Sequence, residues 1–86
     1  MPRIAEFYGI AIYMYHREHG VPHFHALYGE HEAVIAIRGL RVLEGRLPRR
    51  ALALVSAWGK LHGEELERDW ELARGRRPLR SIAPLA

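Results

Sequence analysis

Two imidazoles stand one residue apart in the segment Pro22-His23-Phe24-His25-Ala26. Successive side chains of an extended chain point to opposite faces, so His23 and His25 share one face while Phe24 and Ala26 share the other. Histidine is the side chain that both takes and gives a proton near neutral pH. Two on one face could divide the base and acid roles in cleaving an RNA phosphodiester, where the 2′-OH is the internal nucleophile and no metal or other cofactor is required. A metal site is a second possibility, but zinc wants at least three protein ligands, and only His16, His19, His31 and His62 are in reserve for the third place. A third possibility is a strand that starts at Pro22 and carries histidines as solvated or hydrogen-bonded surface groups.

Arginines supply what a phosphate would meet. Arg46, Arg49 and Arg50 surround Pro48 at an expected helix start, where positive side chains oppose the helix dipole but backbone N–H groups welcome an anion. They are the candidate phosphate-binding residues, and a solvated helix start is the plain alternative. A second cluster, Arg74, Arg76, Arg77 and Arg80, is interrupted by Gly75 and Pro78 and suits a phosphate backbone or an acidic partner protein. Helix capping by itself explains Arg74. Tyr8, Tyr13, Tyr15 and Tyr28 could stack on bases if they share an exposed face, but the favoured expectation is that several of them are core or rim. His62 and Glu65, three apart, can meet on one helical turn, either to complete the histidine site or to brace a helix junction.

The elements that must position these residues follow from periodicity. From Glu6 to Tyr15 the chain alternates, with Ile10, Ile12 and Met14 on one face and Ala11, Tyr13 and Tyr15 on the other, as a strand requires. His16 to Gly20 turns the chain, and Pro22 to Tyr28 forms a second strand paired to the first. Gly29 to Glu32 makes another turn, Ala33 to Ile37 a third strand, and Leu40 to Glu44 a short fourth. After Pro48 the spacing becomes helical. Ala51, Leu52, Leu54, Val55, Trp58 and Leu61 predict a helix from Pro48 to His62, and Gly63 bends or interrupts it. Leu66, Trp70 and Ala73 mark a second helix, with Glu64, Glu65 and Glu67 in its first turn, Arg74 in its last and Gly75 as its cap. Trp58 and Trp70 are expected in the core. Leu79, Ile82 and Leu85 are expected to lay the tail against the domain. Strands first and helices afterwards predict a single α+β domain, with an antiparallel sheet of three to four strands followed by two helices packed on one face. The other face is left to carry His23 and His25.

Totals bound these readings. A chain of 86 residues can bury only a limited core, and a homodimer or other partner would help it. There is no cysteine, hence no disulfide framework and no thiolate metal site, which fits a reducing compartment. No stretch approaches the roughly 18 apolar residues of a membrane span, so the expected location is cytoplasmic and away from membranes. The net charge of +3 depends on the arginines from 74 to 80, without which the rest would be slightly acidic. Gly-rich phosphate loops, Ser or Cys nucleophile motifs and carboxylates spaced for paired magnesium ions are all missing, which argues against nucleotide hydrolysis and thiol chemistry.

Several of these motifs together resemble the DUF4160 family of small bacterial proteins. They are Phe7-Tyr8-Gly9-Ile10, Pro22-His23-Phe24-His25-Ala26, Leu47-Pro48-Arg49-Arg50-Ala51, and the pattern of Trp58, His62, Glu65, Leu66 and Trp70 that ends in Pro78-Leu79. The resemblance covers nearly the whole chain. It implies genomic company, since members are often encoded beside a second small protein in pairs arranged like toxin and antitoxin, and it implies no established catalytic residue. The expectation is a toxin-like protein that acts on RNA through His23 and His25, with Arg46, Arg49 and Arg50 holding phosphate and a small antitoxin-like protein as partner. The alternatives are a non-catalytic protein- or nucleic-acid-binding module and a His-ligated metal-binding protein.

Overall fold

Period-two alternation in the first half of the chain builds one sheet. The computed structural model describes residues 3–16 and 19–86, and it has five antiparallel strands rather than three to four. They are β1 (Arg3–Phe7), β2 (Ile10–Tyr13), β3 (His23–Tyr28), β4 (His31–Ala36) and β5 (Val42–Arg46), each paired to the next in sequence. The additional strand arises because the segment expected as one strand from Glu6 to Tyr15 folds back on itself at Tyr8-Gly9. Phe7 pairs with Ile10 across that turn, and Tyr8 and Gly9 have φ of 51° and 79°. Positive φ at both central residues defines the tight turn whose twist matches paired strands, usually written with Asn or Asp before Gly. Tyr8 in that place disguises it.

The other hairpins keep to their expected places within a few residues. Tyr28 pairs with His31 across Gly29-Glu30, so β4 begins two residues earlier than the third strand was expected to. The last strand runs through Gly45 to Arg46 instead of stopping before it. The expected turn at residues 16–20 includes Arg17 and Glu18, which lie outside the described residues.

Helix α1 (Arg49–Leu61) follows Pro48, and α2 (Gly63–Arg74) follows His62, so the helical pattern is broken at the junction rather than bent. Ala51, Val55 and Trp58 of α1 and Leu66, Trp70 and Ala73 of α2 are buried as their spacing requires; Leu61, at the last turn of α1, is exposed instead. They close over the sheet face formed by Ile10, Ile12, Met14, Phe24, Ala26, Ala33 and Ile35. Trp58 is fully buried, with its ring 5.2 Å from that of Phe7 and edge-on to Phe24 at 5.9 Å. Gly75 is the C-cap of α2, but the left-handed conformation falls one residue later, on Arg76 at φ 59°. The N–H groups of Arg76 and Arg77 then donate to the carbonyls of Ala73 and Leu72, which satisfies the helix end.

The tail lies along the domain, as its apolar residues require. Ile82 is buried, and its N–H donates to the Ile4 carbonyl at 2.8 Å. The Trp58 indole N–H donates to the Ala83 carbonyl at 2.8 Å, and the Tyr8 hydroxyl to the Ala86 carbonyl at 3.0 Å. A further anchor is Asp69, the chain's one aspartate, which stands on the buried face of α2 and accepts the Arg80 backbone N–H on Oδ1 at 2.9 Å. Its Oδ2 is buried without a hydrogen-bond partner among the described residues. Burial pushes the Asp69 carboxyl above its ordinary range, against the pull of the Arg80 N–H and of the Arg68 and Arg80 charges; Glu65 adds to the push.

Gly45 has φ 75°, and a Cβ placed on it would lie 2.2 Å from the Glu32 carbonyl oxygen. Gly29 has φ 60° with open space around it. Gly29→Ala should therefore cost only the left-handed backbone, roughly 1–2 kcal/mol. Gly45→Ala must also push strand β4 away, adding about 1–3 kcal/mol. Urea denaturation of the two variants checks this, and equal losses would show that the close approach of β4 and β5 is absent.

Because Asp69 holds its proton more tightly folded than unfolded, its contribution to stability is fully present below the unfolded carboxyl value, about 3.9, and is lost as pH rises through the higher folded value. Wild type should thus lose stability relative to Asp69→Asn as pH rises through that window, with a slope of at most roughly 1.4 kcal/mol per pH unit. Paired urea titrations across pH measure the difference, and parallel curves would exclude a raised Asp69.

Candidate functional site

Strand alternation puts His23 and His25 on the sheet face opposite Phe24, and the register adds Tyr13, paired with His25, to the same face. The rings form a continuous series. Tyr13 stacks near Tyr15 with centroids 6.2 Å apart, Tyr15 meets His25 edge-on at 4.6 Å, and His25 meets His23 edge-on at 5.5 Å. Beyond them the His23 ring lies 5.0 Å from Trp70 of α2. Trp70 is core, as expected, but it also covers one end of the face that was expected to be open. His23 is only 8% exposed, whereas His25 is half-buried.

The two imidazoles are held differently. The His23 Nδ1–H donates to the Val21 carbonyl at 2.8 Å. A carbonyl only accepts, so the proton of neutral His23 is on Nδ1 and Nε2 is its acceptor nitrogen. The His25 Nδ1–H donates to Glu32 Oε2 at 3.3 Å, and that carboxylate fixes the ring from the neighbouring strand. Glu32 was not among the expected site residues. It is recognisable only once the β3–β4 register is known, because it stands opposite Leu27, diagonal to His25.

The arginines are divided between places. Arg46 pairs with Glu32 in the β4–β5 register and is the one of the three near the histidines. Arg50 lines a cleft with Tyr8 and Tyr28 at the far end of β3, about 17 Å from His23 at roughly 3.3 Å per residue. Arg49 stands beside it in the first turn of α1. Arg46, Arg49 and Arg50 are exposed and make no ion pair among the described residues. Nearer to His23, a groove of about 370 Å³ is lined by His19, Trp70, Arg38 and Arg74, with Glu67 and Glu71. Arg38 binds Glu67 at 2.8 Å, and Glu67 makes its guanidinium still harder to deprotonate. Arg38 is the cation that sequence reasoning missed, because only the tertiary fold carries the β4–β5 loop to α2.

Among the described residues no group of three or more His, Cys, Asp or Glu side chains is placed to hold a metal ion. His16 Nε2–H instead donates to the Arg77 carbonyl at 3.0 Å, and His62 Nδ1–H donates to Glu65 Oε1 at 2.5 Å beside Trp58. His62 and Glu65 thus brace the break between the helices. Among the described residues no helix is long and apolar enough to cross a membrane.

Fold and site together define a small α+β protein with an antiparallel meander, two covering helices and a histidine and tyrosine cluster on the opposite sheet face. The chain belongs to the DUF4160 family, whose model, described as a domain of unknown function, matches residues 9–71. That range holds His23, His25, Glu32 and the three arginines of the α1 start, and leaves out β1 and the tail. Neither a curated protein nor a solved structure shows significant similarity to the chain.

Nitrogen NMR of the imidazoles tests the anchoring directly. In neutral His23 the proton should be found on Nδ1, and its signal should keep that pattern in Glu32→Gln while the His25 signals move. A His23 proton on Nε2 would show that the Val21 bond does not form.

Proposed function

We propose that this protein is a small RNA-acting enzyme whose acid and base are His23 and His25. The observation that carries the reading is the pair of rings 5.5 Å apart on one sheet face, each held at Nδ1 by its own acceptor. Fixed orientation is what acid–base catalysis requires of such a pair. In the reaction one imidazole takes the proton of a 2′-OH, the 2′-oxygen attacks phosphorus, and the 5′-oxygen departs with a proton from the other imidazole. The products are a 2′,3′-cyclic phosphate and a 5′-hydroxyl. Tyr13 and Tyr15 line the approach and offer flat faces to bases. Arg46, which makes no ion pair among the described residues, supplies positive charge for the phosphates, whereas Arg38 and Arg74 in the neighbouring groove are paired with Glu67 and Glu71. The gene pairing that the family resemblance implies suits a toxin-like role, with a small antitoxin-like protein as the partner.

A binding module without chemistry is the second reading, and the burial of His23 beneath Trp70 favours it. That module would use the same tyrosines and arginines to hold RNA.

Inducible expression in bacteria, with growth and total RNA followed together, separates the two. His25→Ala should abolish growth arrest and lower cleavage by purified protein about 10²–10⁴-fold, the usual worth of acid–base catalysis. His23→Gln provides the second variant, since a polar side chain of similar reach is less disruptive beneath Trp70 than a cavity. Intact RNA from folded wild type that still binds RNA would replace the enzyme by the binding module.

A further inference from the structure

A second site stands at the opposite end of β3 from the histidines. Tyr8, Tyr28, Arg50, Ala51 and Leu54 enclose a cleft of about 330 Å³, at the lower end of the range for small-molecule sites. Ala51 and Leu54 belong to α1 and give it an apolar floor. Tyr8 and Tyr28 are 60% and 38% exposed, so neither ring is there to fill the core. Among the described residues no Asp or Glu side chain lines the cleft, Arg50 makes no ion pair, and the first turn of α1 holds no acid.

Tyr8 is costly where it stands. At φ 51° a non-glycine residue adopts a disfavoured left-handed backbone, and a bulky ring gains little by being left in water. Its ring is nevertheless held, since the hydroxyl donates to the Ala86 carbonyl. The Tyr28 ring packs beside Gly9, where an added Cβ would meet Tyr28 Cε1 at an ordinary contact distance of 3.5 Å. The hairpin accounts for the backbone of Tyr8, but two exposed rings around one cation over an apolar floor are features of a binding site rather than of a turn alone.

We propose that this cleft binds a nucleotide, with the base against Tyr8 and Tyr28 and the phosphate on the Arg50 guanidinium. An aromatic ring joined to an anion satisfies the whole lining at once. Inorganic phosphate would leave the tyrosines and the apolar floor without a role. The choice of a nucleotide rests on the RNA reading above, and the cleft then holds a base about 17 Å along the strand from His23 and about 10 Å from His25, on the strand's other face.

Titration of the whole chain with AMP, adenosine and inorganic phosphate, followed by NMR shifts of the tyrosine rings, tests this. AMP should bind more tightly than either adenosine or phosphate, and Tyr8 and Tyr28 should be the rings that shift. Tyr28→Leu, which keeps apolar bulk without a flat ring, should weaken AMP and adenosine roughly tenfold, the scale of one base stack. Arg50→Gln should remove the advantage of AMP over adenosine. His25→Ala should bind AMP like wild type, so loss of RNA cleavage and loss of this cleft are separate results. Unmoved tyrosine signals at millimolar AMP, phosphate binding as tight as AMP, or undiminished AMP binding by Tyr28→Leu would each overturn the proposal.

Discussion

The Trp58 indole is the contact on which the rest of the molecule depends. It is fully buried between Phe7 and Phe24, so it fixes α1 against both the first hairpin and the histidine strand. Its N–H reaches the Ala83 carbonyl, and its ring lies 5.6 Å from that of His62. One side chain thereby joins sheet, helix, helix junction and tail. In a chain of 86 residues the core has few such groups, and truncating a buried tryptophan costs about 3–5 kcal/mol, a large share of the stability of a small domain.

That anchoring also determines what the opposite face can do. With Phe24 and Ala26 committed to the core, alternation leaves His23 and His25 no choice but the other side. The face is not uniformly open. Trp70 covers the His23 end, while His25 is held by Glu32 and flanked by Tyr15, nearer to solvent. The two histidines are thus unequal in access although adjacent in sequence. The arginines are divided, with Arg38 and Arg74 in the groove beside Trp70, Arg46 opposite Glu32 and Arg50 in the cleft with Tyr8 and Tyr28, which is a more extended distribution than a single phosphate pocket would need.

The segments outside the family range depend on each other. Strand β1 and the tail meet through the Ile82 N–H on the Ile4 carbonyl and the Tyr8 hydroxyl on the Ala86 carbonyl. Asp69 ties the same tail to α2 at the cost of a buried carboxylate. The tail is therefore part of the structural frame, and the Tyr8 end of the proposed cleft relies on it.

Alternation and helical spacing were sufficient for the α+β class, the order of strands and helices, the burial of Trp58 and Trp70, and the shared face of His23 and His25, but they left a bend and a break near Gly63 equally open. These are properties of neighbours in the chain, where backbone geometry dictates which side a residue takes. They failed at Tyr8-Gly9, where an aromatic residue occupies a left-handed turn position and local propensity reads as strand. They also carry no sign of the burial of Asp69, because a lone aspartate on a helix normally signals solvent. What only the tertiary structure decided was the company each residue keeps: Glu32 on His25, Trp70 over His23, Arg38 beside α2, and Arg50 with the tyrosines rather than the histidines. Register and helix docking set those distances, and both come from packing between segments far apart in sequence, which no local pattern encodes.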